Sequence, residues 1–268
     1  MTRPPPVADL KPVTLRVVVG LLTGALAVAS LVGLSGTATA GRASCGPNVG
    51  SGGYSYAGHQ ASHRGHGVRA TITATRPLEV EAGHVSGWVG VGGRGQGANG
   101  EDAWIQVGIA AMRDVDEPFL YAEIARGVGQ PQFVLLENGV AVGEPRTLAV
   151  VETAGRAGSW QVLVDGRPAT KPVRLHGSSG RWAPIATAES WNGGRGACNR
   201  FAYRFEGVSV ARARSGSWEP FASGNRFLDA GNKLRLLPSG TRHRLPNERV
   251  LAEARRTILQ YGFLASSG

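Results

Sequence analysis

Three polar side chains interrupt stretches of this 268-residue chain that otherwise read as buried β-structure. Gln106 lies in DAWIQVGIA (residues 102–110), where alternation sets Ile105, Val107 and Ile109 on one strand face and Trp104, Gln106 and Gly108 on the other. Glu189 lies in IATAESW (residues 185–191), sharing a face with Thr187 and Trp191 while Ala186, Ala188 and Ser190 oppose it. Glu123, in FLYAEIA, stands two residues from Tyr121 on its own strand face. Burying an amide or a carboxylate without partners costs several kcal/mol. Such groups are therefore paired, solvated in a groove, or chemically active.

The order of these segments resembles a family. SGWVGVGG (residues 86–93), then DAWIQVGIA, FLYAEIA and TAESW (residues 187–191) is similar to the glutamic peptidases, the eqolisins. The resemblance covers roughly residues 84–210 and implies a two-sheet, concanavalin-like sandwich that is secreted. It also implies Gln106 and Glu189 as the catalytic pair, with Trp88 in the groove. A glutamate in that role takes a proton from water and returns it to a leaving amine. A glutamine amide donates to the oxyanion of the tetrahedral intermediate. That chemistry calls for no cofactor. Trp104, Tyr121, Glu123 and Trp191 are the expected substrate-binding neighbours. The chain departs from the family pattern in two places. Val91-Gly92-Gly93 stands where an apolar residue and Asp-Gly are usual, and Ser190 separates Glu189 from Trp191.

The elements that must position these residues are strands. Val68–Thr75 alternates between apolar and polar residues, as a half-buried strand does. Further candidates are His84–Val91, Ala103–Ala111, Phe119–Ala125, Gln132–Glu137, Arg146–Thr153, Trp160–Val164, Val173–His176, Ile185–Ser190 and Phe201–Val210. Turn-type separators divide them; Asn138-Gly139 and Asp165-Gly166 are hairpin signals. About ten short strands without an amphipathic helix between them predict an all-β, antiparallel two-sheet sandwich of concanavalin or jelly-roll type. Its expected span is residues 67–211. A Gly/Ser/His-rich lead-in (41–66) precedes it and an irregular arm (212–246) follows. NERVLAEARRTILQY then predicts a short C-terminal helix over 247–262, with Asn247 as N-cap and Gly262 as stop.

The first 40 residues read as a secretory signal. Arg3, Lys11 and Arg16 lead an apolar stretch from Val17 to Leu34, and Ala38-Thr39-Ala40 supplies small residues for cleavage. The rival reading keeps the segment as a membrane anchor, since 18 apolar residues just span a bilayer. These 40 residues hold three cations and one acid, so the remainder carries about +8 of the chain's +10. Only Lys11, Lys171 and Lys233 are lysines, and the arginines are scattered rather than gathered into a basic stripe, so no nucleic-acid motif emerges.

Outside the cytoplasm, Cys45 and Cys198 are expected to pair as a disulfide. No Cys/His spacing resembles a zinc site, and His59, His63 and His66 read as surface histidines. Three functions fit: an acid-active endopeptidase on polypeptides, a lectin-like module for a cell-envelope glycan or peptide, and a structural envelope protein.

Overall fold

The computed structural model describes residues 54–191, 199–214, 216–221, 224–228, 234–238 and 261–267. Among the described residues there is no helix, and the strands form two antiparallel sheets. The first sheet has seven strands. In spatial order they are β14 (Gly224–Leu228), β1 (Tyr54–Ala61), β11 (Pro184–Trp191), β3 (His84–Gly93), β4 (Ala103–Met112), β5 (Phe119–Arg126) and β6 (Gln132–Asn138). The second runs β10 (Val173–Arg174), β8 (Ser159–Val164), β7 (Arg146–Glu152), β2 (Gly67–Ala74), β12 (Ala202–Ala211), β16 (Tyr261–Ser267) and β15 (Leu234–Pro238). Two short strands complete it, β13 (Trp218–Pro220) beside β12 and β9 (Arg167–Pro168) beside β8.

The core lies between the sheets. Ile105, Val107 and Ile109 of β4 are fully buried there, as the alternation requires, in one cluster with Ile72, Leu148, Val150 and Phe205 of the opposing sheet. Each such side chain contributes about 1.5–3 kcal/mol by leaving water. Every strand expected between residues 67 and 211 is present to within two residues at either end.

Six expectations change. Part of the lead-in segment is β1, which pairs with β11 from Tyr54↔Trp191 to Gln60↔Ile185. His59 on that strand is accordingly a buried residue packed edge-on to Phe263 at 5.0 Å, not a surface histidine. His66 also leaves the surface set, because its Nδ1 meets Glu152 at 2.6 Å, whereas His63 is exposed as expected.

The arm is not wholly irregular, since β13, β14 and β15 fall in it and extend the sheets past residue 211. Tyr261 and Gly262 open strand β16 rather than close a helix. Phe263 and Ala265 alternate inward, and Phe263 stacks on Phe205 at 4.4 Å, so burial of that face selects the strand. Residues 247–260 lie outside the described set, as do residues 1–40, Cys45 and Cys198.

Finally, the two hairpin signals part company. Asp165-Gly166, with φ of 50° and 78°, turns β8 back on β9 as a two-residue hairpin requires. Asn138-Gly139 instead carries the chain from β6 in one sheet to β7 in the other. Val140, 1 % exposed, enters the core just after the turn and draws the chain across.

Candidate active site

Cross-strand register puts the predicted residues on one face of the seven-stranded sheet. Directly opposed residues share a face, and three adjoining rows can be followed across the strands. The first runs Tyr56, Glu189, Ser86, Ala110 and Phe119; the second Gly58, Thr187, Trp88, Gly108 and Tyr121; the third, two rows further from the first, Ile185, Gly90, Gln106, Glu123 and Phe133. Gln106, Glu189, Trp88, Trp104, Tyr121 and Glu123 all line one groove of about 540 Å3 on that face. Trp191 packs at its end, with ring centroids 5.6 Å from His84 and 6.0 Å from Tyr54.

Two short motifs build the middle of this floor. Trp88-Val89-Gly90 on β3 and Gln106-Val107-Gly108 on β4 run antiparallel, so each functional side chain faces the other motif's glycine. A Cβ at Gly108 would lie 2.7 Å from the Trp88 Cβ, and one at Gly90 would lie 2.8 Å from the Gln106 Cβ. The glycines are the space that the indole and the carboxamide occupy. Both valines between them are fully buried and anchor the motifs in the core.

Glu189 is 6 % exposed and both of its oxygens are engaged. His84 Nε2 lies 2.9 Å from Oε1, and the Trp88 indole N–H donates to Oε2 at 3.2 Å. Gln106, 7 % exposed, is held from the other side. Its Nε2 donates to Glu123 Oε2 at 3.0 Å and to the Tyr121 hydroxyl at 3.2 Å. Among the described residues no hydrogen bond joins Gln106 to Glu189 directly; Trp88 occupies the strand and the row between them.

The electrostatics follow from burial. Glu123 is pushed from the ordinary 4.5 up to about 7, first by desolvation and then by the charge of Glu189, with His84 acting in the opposite sense. Tyr54 is raised to about 12 by burial and by Glu189, and Tyr56 and Tyr121 move the same way for the same reasons. These phenols stay protonated and serve as hydroxyl groups. The groove thus gathers Glu189, Glu123, Gln106, His84 and Arg94 between walls from Trp88, Trp104, Tyr121 and Phe133. Among the described residues, no three His, Cys, Asp or Glu side chains gather as a metal site.

His84, Tyr54, Tyr56, Ser86 and Phe133 were not among the residues singled out from sequence. For His84 a signal existed, because it stands two and four residues before Ser86 and Trp88 and so shares their face. For Tyr54 and Tyr56 the only clue is their alternation within the Gly/Ser/His-rich lead-in. The inserted Ser190 also has a local account. It turns its side chain to the core side, where Asn199 Nδ2 donates to its Oγ at 3.1 Å, and so leaves Trp191 on the groove face with Glu189. Gly92 has a φ of 88°, a conformation that suits glycine and strains the aspartate of the family pattern.

No protein-family model matches the sequence, and no curated protein matches it. Solved structures do resemble the fold. Scytalido-glutamic peptidase bound to a transition state analog inhibitor superposes with a TM-score of 0.50 at 14 % identity, covering 80 % of this chain and 98 % of that one. An eqolisin-family peptidase in complex with the tripeptide Ala-Ile-His covers the same shares at 14 % identity and a TM-score of 0.46. A Bacillus licheniformis β-glucanase covers 57 % of this chain and 69 % of its own at 16 % identity and a TM-score of 0.36. The chain therefore has the two-sheet sandwich fold found in the glutamic peptidases, with the resemblance read from its motifs extending to the architecture that carries them.

Proposed function

We propose that this protein is an exported endopeptidase of glutamic type, acting on polypeptides at acid pH with Glu189 and Gln106 as its catalytic pair. The observation that carries the reading is the gathering of both side chains, from strands β11 and β4, on one face and in one open groove. Glu189, aimed by His84 and Trp88, takes a proton from a water whose oxygen attacks the scissile carbonyl carbon. The carbonyl π electrons move to oxygen, and the Gln106 amide donates to that oxyanion. As the oxyanion collapses, the C–N bond breaks and Glu189 returns the proton to the departing nitrogen, giving an acid and an amine. The aromatic walls offer apolar surface to side chains of an extended substrate.

Export through residues 1–40 and a Cys45–Cys198 disulfide belong to the same proposal, because a peptidase of this kind works in an oxidising space outside the cytoplasm. The test is cleavage of an unfolded, reduced and alkylated protein between pH 2 and 7 by wild type and Glu189→Gln. Equal cleavage by both, or none by wild type, sinks the peptidase reading.

A second reading is a lectin-like module that holds a glycan or peptide without cutting it. One observation favours it: both Nε2 hydrogens of Gln106 are already spent on Glu123 and Tyr121. Binding of a cell-envelope glycan by Glu189→Gln as well as by wild type, without turnover, would establish it.

A further inference from the structure

The hydrogen bonds of Gln106 conflict with the task that the peptidase reading assigns to it. An oxyanion needs donors, and the carboxamide has two N–H groups, both on Nε2. Those hydrogens are directed to Glu123 Oε2 and to the Tyr121 hydroxyl, which leaves Oε1 on the opposite side of the carboxamide. In this orientation Gln106 offers the groove an acceptor.

We propose that Glu123 is a positioning residue whose proton decides which end of the Gln106 amide faces the groove. An ionised Glu123 can only accept, so it holds Nε2 toward β5 and keeps the oxyanion donor turned away. A protonated Glu123 carries an O–H that donates to Gln106 Oε1. Tyr121, whose hydroxyl can donate as well as accept, follows the change. The carboxamide can then turn over about its last torsion, a soft sp3–sp2 rotation, and still keep both contacts on β5. Nε2 then faces the groove, where a developing oxyanion selects it. No bond to carbon changes in this step. A single proton moves from solvent to the Glu123 carboxylate, and two hydrogen bonds reverse direction.

The surroundings of Glu123 favour this exchange. Its carboxyl is held up at about 7, by burial first and by the Glu189 charge second, so the proton is taken within the range of mild acidity. The titratable and charged groups coupled to it are Glu189 on β11 and His84 on β3; Tyr121 shares β5, and Tyr54 and Tyr56 lie on β1. Arg94, beyond the end of β3, couples to the two β1 tyrosines. On β4 and β6 the register partners of Glu123 are Gln106 and Phe133, neither of which titrates.

The inference rests on the peptidase reading for its consequence, but not for its test. In the full-length free protein, the side-chain 15N–1H2 signal of Gln106 is followed from pH 4 to 8.5. The expected result is a titration with its midpoint near 7, absent in Glu123→Gln and retained in Glu123→Asp. A flat wild-type signal, or one that titrates equally in Glu123→Gln, overturns the proposal even if the protein cuts peptides. Cleavage of the unfolded, reduced and alkylated protein is measured over the same range. The expected result is a kcat that falls at least tenfold across the midpoint with KM little moved, because an oxyanion donor acts only in the transition state. In Glu123→Gln that limb of the profile flattens. A titrating Gln106 signal in a protein that never cleaves would instead uphold the positioning role and remove the peptidase reading.

Discussion

Among the described residues two Glu–His pairs set a buried glutamate against a half-buried histidine, with one of the glutamates in each sheet. In the nine-stranded sheet Glu152 is fully buried, with His66 Nδ1 at 2.6 Å, the Gly158 backbone N–H on Oε1 and a further bond from the Ser179 side chain. In the seven-stranded sheet Glu189 has His84 and the Trp88 indole, and its open side is the groove. Desolvation works on Glu152 too, but the hydrogen bonds from Ser179, His66 and Gly158 outweigh it and hold its carboxyl below the ordinary range. Such a carboxylate is held by three partners and ties the loops around residues 158 and 179 to strand β7. Glu189 keeps one side toward the groove and sits near a second carboxylate, Glu123, whose proton affinity it raises. The same pair of residue types is thus a staple where three partners enclose the carboxylate, and a candidate for chemistry where one side opens on a groove.

The largest expected effect separates the two pairs. Glu189→Gln should lose about 10⁴-fold in cleavage of an unfolded protein, the upper end of what an acid–base group supplies, with its urea-unfolding midpoint close to wild type. Glu152→Gln should do the reverse. Removing a buried acceptor leaves its donors unsatisfied at a cost of about 1–3 kcal/mol, read in the same urea titration, while turnover per folded molecule is kept. Loss of activity in Glu152→Gln without loss of stability would erase the distinction.

Gln106→Ala sharpens the comparison on the groove side, with an expected loss of about 10²–10³-fold in kcat, typical of a deleted oxyanion donor. An unchanged kcat in that variant would leave Gln106 as a structural amide of the groove floor.

The smallest effect is in the pH dependence of stability, where the two sheets pull in opposite directions. Glu123 binds its proton more tightly folded than unfolded, so between about 4.5 and 7 the folded state holds more protons. Stability then falls as pH rises through that window, by up to about 3 kcal/mol, and levels off above it. Glu152 has the opposite shift, so its contribution is present at neutral pH and is lost as pH falls below the ordinary carboxylate range. Urea titrations at several pH values should therefore show a maximum on the acid side of neutrality for wild type, and Glu123→Gln should remove the decline toward pH 7.

Much of the groove could be read from short-range pattern. Alternation alone assigned Gln106, Trp104, Glu189 and Trp191 to their strand faces, because the strand period of two residues is local and needs no partner. The same rule would have added His84 through Ser86 and Trp88. The strands of residues 67–211 were legible for that reason, and so was the turn at Asp165-Gly166, whose positive φ angles suit those residue types.

Adjacency was decided by the tertiary structure. His84 and Glu189 are 105 positions apart, and they meet because β11 pairs with β3, a choice that no local periodicity encodes. The Trp88–Gly108 and Gln106–Gly90 complementarity likewise appears only once β3 and β4 are in register. Asn138-Gly139 carries the local chemistry of a hairpin, yet the burial of Val140 sends the chain to the other sheet. At the chain's end, Tyr261–Ser267 becomes a strand because β12 and β15 offer it hydrogen-bond partners on both sides. Backbone groups left over from a helical pattern are satisfied just as well by a sheet edge, and the sheet also buries Phe263 and Ala265. Local pattern determines which way a side chain points along its own strand; long-range packing determines which side chains stand opposite it, and the chemistry of this groove depends on the second.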